Sequence, residues 1–304
     1  MKESAAQPTP ESIPGALSSE TVGRLLVLAA TLFWGTTGTA QAFAPPNAHP
    51  LAIGAIRLAI GGVTLLLVAL LRGRLNWNGG WPIAATLAAG ASMAFYQLCF
   101  FSGVARTGVA IGTMVAIGSA PILAGLLALW LRGEKPTRRW VGATSLAVIG
   151  CVLLGVTTGD LQGDGWGIML ALGAGLAYAL YAVTSKGLLE RQHPDAVVGV
   201  VFVVGAIILA PLLFFVDLRW LAAPRGWLVA LELGLLATAA AYTLYARGLT
   251  RIPVATAVTL SLGEPLVATL LAVSLLGETL KPLAWVGFAL LFVGLLWLSS
   301  ARSR

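Results

Sequence analysis

Charge is scarce in this chain. Asp, Glu, Lys and Arg make up 10% of its 304 residues, against about 25% in an ordinary soluble domain. With 58% hydrophobic residues and a mean hydropathy of +0.89, that deficit excludes a soluble fold and predicts an all-α integral membrane protein. Histidine is scarcer still: the two present, His49 and His193, both precede a proline. The two cysteines, Cys99 and Cys151, lie inside apolar stretches with no CxxC or Cys/His spacing. A disulfide framework and a metal site are therefore not expected, and no cofactor is predicted. There is no HExxH, no GxGD and no P-loop, so neither an intramembrane enzyme nor an ATP-driven pump is expected. The net charge of +7 does not indicate a nucleic-acid partner, because the basic residues sit between apolar stretches rather than on one stripe. Residues 1–23 lack a basic n-region and a cleavage site, and read as a disordered cytoplasmic leader.

What the chain does have is an internal repeat. A shift of 144 residues carries His49-Pro50 onto His193-Pro194, Gly61 onto Gly205 and Pro121 onto Pro265. It also carries Gly133-Glu134 onto Gly277-Glu278 and Gly150 onto Gly294. A helix needs about 20 apolar residues to cross a bilayer, and each half holds five such stretches. They are 25–43, 51–71, 81–101, 109–131 and 139–156, then 166–186, 196–216, 226–246, 254–276 and 282–299. Five is odd, so tandem halves must enter the membrane from opposite sides. The fold expected is ten transmembrane helices in two inverted five-helix repeats, 24–157 and 158–304, around a central cavity, as in many secondary transporters. A passive channel is the rival class, but it more often uses symmetric subunits or a continuous polar pore. The partners expected are a small-molecule substrate and lipid, with the chain a monomer or weak homodimer.

Loop charge sets the orientation. With the N-terminus inside, fourteen Lys and Arg residues face the cytoplasm, and only Arg106, Arg219, Arg225 and Lys281 face out. Both termini are therefore predicted to be cytoplasmic, in a bacterial inner membrane. Glycine, at 36 residues, is read mainly as close helix packing, including a Gly108/Gly112 pair. The tryptophans at 77, 81, 130, 140, 166, 220, 227, 285 and 297 fit an interfacial belt.

Trp34 breaks that pattern, lying mid-span, and its image under the shift is Tyr178. Tyr96, Tyr181 and Tyr242 are also deep, with Phe95 beside Tyr96. Thr37, Gln41, Gln97 and Thr184 offer polar partners to buried rings. Interhelical packing is the alternative for each; together they suit a pocket with apolar walls and a few polar handles. Three charges lie within spans, where charge marks function by default. Arg57 can snorkel outward or bind a carboxylate or a helix C-terminus. Glu232 suits snorkelling or a structural ion pair. Glu264, mid-span before Pro265, can bind an ammonium group, carry protons or brace a broken helix. Glu134 and Glu278 are read as acidic ends favouring the helices that follow them, and the His-Pro pairs as turn chemistry.

The stretches ‘SAPILAGLLALWLRGEKPTRRWVGATSLAVIG’ and ‘GEPLVATLLAVSLLGETLKPLAWVGFALLFVG’ share a Pro, a Glu thirteen residues on, and then Trp-Val-Gly. With ‘LFWGTTG’ at 32–38 and ‘HPLAIGAIRLAIGGVTLLL’ around Arg57, the chain resembles the drug/metabolite transporter superfamily. More narrowly, it resembles the branch with two EamA domains. Val201 stands where a second arginine would mirror Arg57. The resemblance implies a secondary transporter working by alternating access. The deep aromatics make the chain most similar to bacterial exporters of amino acids, aromatic ones included, with nucleotide-sugar or drug-like-cation export as alternatives.

Overall fold

The computed structural model describes residues 17–76, 80–158, 164–277 and 279–300, and every regular element among them is helical. Most of the predicted leader lies outside them. Helix α1 (Ser19–Trp34) nevertheless starts inside that stretch, because Ser18 caps it by accepting from the Thr21 amide at 3.2 Å. The first crossing breaks at Gly35 and resumes as α2 (Thr36–Ala42). Helices α3 (Pro50–Leu71), α4 (Ile83–Thr107), α5 (Val109–Arg132) and α6 (Arg138–Thr158) complete the first half.

The second half opens with α7 (Gly165–Leu189) and α8 (Pro194–Leu209). Its eighth crossing is α9 (Pro224–Leu231), a π-helical stretch Glu232–Ala240, and α10 (Ala241–Leu249). The ninth is split into α11 (Val254–Leu260) and α12 (Gly263–Leu275), and α13 (Pro282–Ser299) is the tenth. Nine of these stretches, among the described residues, are long and apolar enough to span a bilayer. The broken α1–α2 pair supplies the other crossing.

Helix pairing shows the inverted repeat. α3 packs on α8, α6 on α13 and α5 on α11, while α4 packs on α7 and α1 on α10. Exchanging the halves maps the first three contacts onto themselves and the last two onto each other, as a two-fold axis requires. With five crossings per half, that axis lies in the membrane plane. Local geometry repeats as well. His49 accepts from the Leu51 amide and His193 from the Asp195 amide, each at 3.2 Å, with the following proline at the first helical position. There the ring fixes φ and no N–H is needed, so the His-Pro pairs are helix caps. Gly133 and Gly277 both take left-handed φ values, 68° and 69°.

Glycine packing is heaviest where α6 meets α13. A Cβ on Gly150 would lie 2.4 Å from the Leu291 amide nitrogen, and one on Gly294 would lie 2.9 Å from the Ala143 carbonyl. Of the Gly108/Gly112 pair only Gly112 packs closely, where a Cβ would lie 2.8 Å from the Val104 Cα on α4. Gly108 has φ +82° and turns the chain between α4 and α5. The tryptophan belt needs one correction too. Trp130, Trp166, Trp227, Trp285 and Trp297 are exposed, but Trp220 is fully buried, packed in a cluster with Ile53, Phe101, Val229 and Leu233. Trp77 lies outside the described residues.

The packing makes a direct test. Gly150→Val is expected to lower the melting temperature of the detergent-purified protein, since overpacking costs about 1–3 kcal/mol. Gly118→Ala, with nothing within 4 Å of its new Cβ, is expected to leave it unchanged.

Candidate functional site

Three crossings are broken or π-helical within the span, the first, eighth and ninth, and all three border one cavity of about 700 Å³, whereas the seventh departs from α-helix only at its end, in a 3-10 turn at Ala210–Phe214. Pro265 explains part of this. It sits in the first turn of α12, where a missing N–H costs nothing. The opening in span nine falls just before it, at Ser261-Leu262. Spans one and nine then meet through small residues: a Cβ on Gly35 would lie 2.4 Å from Val267, and one on Gly263 would lie 2.8 Å from the Thr31 hydroxyl.

The cavity has an aromatic end. Trp34, Tyr96, Tyr178 and Tyr242 line it with Phe100. Ring centroids lie 5.0 Å apart for Trp34–Tyr242 and 5.8 Å for Tyr96–Tyr178. Tyr181, Tyr245 and Phe202 form a second layer behind, fully buried, with Phe202 and Tyr242 at 4.5 Å. The indole N–H of Trp34 is buried and has no hydrogen-bond partner among the described residues, although such a group ordinarily finds one. From these rings the cavity runs toward the 44–50 turn, Val104 and Leu276. It therefore opens on the face opposite the start of α1.

Two charges line the same space. Arg57 is buried, and its guanidinium donates to Thr238 Oγ1 at 3.3 Å and to the Ala237 carbonyl at 3.4 Å. Both partners belong to the π-helical stretch, whose wider turn is also marked by Thr238 Oγ1 donating to the Leu233 carbonyl five residues back, at 2.7 Å. Arg57 therefore does not snorkel. Glu264 borders the cavity at the start of α12. The ion pairs among the described residues include neither Arg57 nor Glu264. Glu232 is different: it accepts from the Thr36 hydroxyl and is absent from the cavity wall, so it ties span eight to span one.

The structure sorts the remaining candidates. Thr37 and Gln41 face the cavity. Phe95 does not; it is 54% exposed on the outer surface. Neighbours on a helix point about 100° apart, so Tyr96 inside puts Phe95 outside. Gln97 is buried at the α3–α4 contact near Gly54, away from the cavity wall. Thr184 donates back to the Leu180 and Tyr181 carbonyls, and Tyr181 belongs to the second aromatic layer. Ser261 was not foreseen: it lines the cavity and pairs with the Tyr178 hydroxyl at 3.1 Å. Thr113 and Thr39 also border the space. Small hydroxyl residues in a span carry no sequence signal of their own, because most satisfy themselves on the preceding turn.

The face that carries the start of α1 is shut. Glu134 Oε2 accepts from the Val254 amide at 2.8 Å, capping α11 in the other half rather than the helix that follows it. That corrects the sequence expectation, and the reason is reach: the turn at Gly133 aims the carboxylate across the bundle. Its image Glu278 lies outside the described residues. Nearby, Lys186 donates to the Leu249 and Ile252 carbonyls at 2.6 and 3.1 Å, and Trp140 donates to Thr259 at 3.0 Å.

A cavity open to one face and sealed at the other, inside an inverted repeat, is a transporter's geometry. The EamA-like transporter family model matches residues 21–156 and 165–300. The chain belongs to that family. It is a multi-pass membrane transporter of a small-molecule substrate. It is 48% identical over 281 residues to the uncharacterized transporter YwfM of Bacillus subtilis (strain 168), covering 92% of this chain and 94% of that one. It is 30% identical to the threonine/homoserine exporter RhtA of Escherichia coli (strain K12), covering 85% and 84%. A solved crystal structure with 23% identity superposes at a TM-score of 0.78 over 93% of this chain and 98% of the other, which shows the shared fold.

For the aromatic wall, Trp34→Ala and Tyr242→Ala are each expected to cut transport roughly tenfold, the equivalent of about 1.4 kcal/mol of lost contact, with membrane expression intact. Phe95→Ala is expected to transport normally. Equal loss in all three would mean the rings act through general packing.

Proposed function

We propose that this transporter exports amino acids, aromatic ones included, across the bacterial inner membrane by alternating access, with both termini in the cytoplasm. The observation that carries the reading is the pair Arg57 and Glu264 on one aromatic-walled cavity, joined by no ion pair. A zwitterion has a carboxylate for the guanidinium and an ammonium for the carboxylate. Arg57 keeps N–H groups beyond the two donated to span eight. Each isolated charge at mid-membrane costs about 2.5–3.5 kcal/mol on insertion scales, and a bound zwitterion offsets part of that. The tyrosine and tryptophan faces accommodate the substrate's side chain. Similarity to a threonine/homoserine exporter over most of both chains supports the same class. Among the described residues, eleven Lys and Arg fall on the side of α1's start against four on the other, which supports reading that side as cytoplasmic and the conformation as outward-open.

Flux into proteoliposomes tests the substrate class. Radiolabelled amino acids are expected to be transported saturably, whereas nucleotide sugars and lipophilic cations are not. Transport of either of those without amino acids would overturn the reading. Arg57→Gln is expected to weaken competition by an amino acid but not by its amide, which lacks the carboxylate. Glu264→Gln is expected to abolish nearly all flux while the protein stays folded; retained transport would make Glu264 a brace.

Orientation and gating are read with single cysteines in a background lacking Cys99 and Cys151. Cysteines at Asn47 and Ala222 are expected to react with an impermeant reagent from outside, and one at Thr137 only from inside. Glu134→Ala removes the cap on α11, a loss of about 1 kcal/mol. It is expected to raise labelling of a Ser261→Cys reporter from the cytoplasmic side by about fivefold. Unchanged labelling would show that the Glu134 cap does not hold that face shut.

A further inference from the structure

A second cavity, of about 450 Å³, lies on the closed face, apart from the aromatic one. Four arginines line it, Arg72, Arg74, Arg247 and Arg251, together with His193 and a single acid, Asp195. Asp195 is 3% exposed and braces two of them, accepting from Arg72 at 3.2 Å and from Arg247 at 2.9 Å. One carboxylate cannot neutralise four guanidinium groups, so the pocket retains a strong positive excess. The brace also fixes the two forks before any ligand arrives, which lowers the ordering cost of binding. His193 accepts the Asp195 amide at Nδ1, leaving Nε2 as the protonated nitrogen and a donor. Burial holds this imidazole below its ordinary pKa, so the positive charge belongs to the arginines. The pocket also sits at the capped N-terminus of α8, where backbone amides favour an anion.

We propose that this pocket binds the phosphate of an anionic membrane lipid. Guanidinium forks match phosphate oxygens, and basic pockets at the cytoplasmic ends of membrane helices take anionic headgroups. Lipid rather than free phosphate is favoured by the surface beside the pocket. Arg72 directly follows Leu71, which is 87% exposed, and Leu67 and Leu70 on the same helix are exposed too. They provide an apolar track for acyl chains running from the headgroup into the bilayer. The pocket joins the ends of α3 and α10 to the start of α8. A bound headgroup would therefore fasten together two crossings that carry cavity residues, Arg57 on one and Tyr242 on the other.

The test uses the full chain purified in neutral detergent. Retained lipid is read by native mass spectrometry and stability by thermal melting, with phosphatidylglycerol, phosphatidylcholine or inorganic phosphate added. The variants are Arg74→Gln and Arg251→Gln, which leave the Asp195 brace intact. A cooperative melting transition in each variant verifies that it is folded. Phosphatidylglycerol is expected to be retained and to raise the melting temperature, and phosphatidylcholine to do neither. Each arginine removed is expected to weaken phosphatidylglycerol retention about fivefold, whereas Arg219→Gln, on the other face and paired with Asp217, is expected to leave it unchanged. Inorganic phosphate matching the effect of phosphatidylglycerol would assign the pocket to the free ion and overturn the lipid assignment. Equal retention of both lipids, or retention indifferent to Arg74 and Arg251, would overturn the site itself. Because neither lipid retention nor melting depends on the transported substrate, failure here is distinguishable from failure of the amino-acid reading.

Discussion

Hydrocarbon offers no partner to a free N–H or C=O group, so a membrane helix can be broken only where protein or a water-filled space satisfies the backbone. In this bundle the breaks obey that limit. Gly35, the Ser261-Leu262 opening and the π-helical stretch Glu232–Ala240 belong to three of the crossings that border the main cavity. The π-helical turn is closed by Arg57, which donates to Ala237 and Thr238, and by Glu232 at its start, which accepts from Thr36. Irregular backbone, buried charge and cavity are thus one arrangement, and each requires the other two.

The outer parts of the bundle have the opposite character. Where α6 meets α13, glycines on both sides let backbones approach until a methyl group would collide with a peptide unit. Such contacts gain dispersion energy only at short range, so this one holds a helix of the first half closely against its image in the second. The close glycine seam lies away from the broken helices, which border the cavity at the centre of the bundle. Glu134 adds a single directional bond, from one half to the first turn of α11 in the other. A bond of that kind is easily exchanged for water when the face opens.

Much of this plan was legible in the residues, and the limits have physical causes. The 144-residue repeat, the odd span count and the paired His-Pro caps all report local backbone geometry, which one chain encodes directly. Trp34, Tyr96, Tyr178 and Tyr242 stood out because an amphipathic ring at mid-span has few other uses. Phe95 could not be told from Tyr96, since a span apolar all round has no moment to say which side faces inward. Ser261 carries the same hydroxyl as Ser274, which simply bonds back to Leu270; only tertiary contact with Tyr178 separates them. The partner of Glu134 was equally hidden, because it lies 120 residues away in the other half.

The repeat also shows what was not duplicated. Arg57 corresponds to Val201 and Glu264 to Ala120 under the shift, and Glu232 corresponds to Ala88. The backbone plan is two-fold, but the mid-membrane charge occurs in single copies. A symmetric site would present the same group twice, which suits a ligand with identical ends. Here the cation comes from the first half and the anion from the second, on the wall of one cavity. Such a pair tells one end of a ligand from the other, and it does so in the part of the chain where retaining charge is most costly. Helix packing alone does not require it: Val201, in Arg57's place, is fully buried between helices without any charge. On the amino-acid reading proposed above, this asymmetry serves recognition, laid over a two-fold backbone plan.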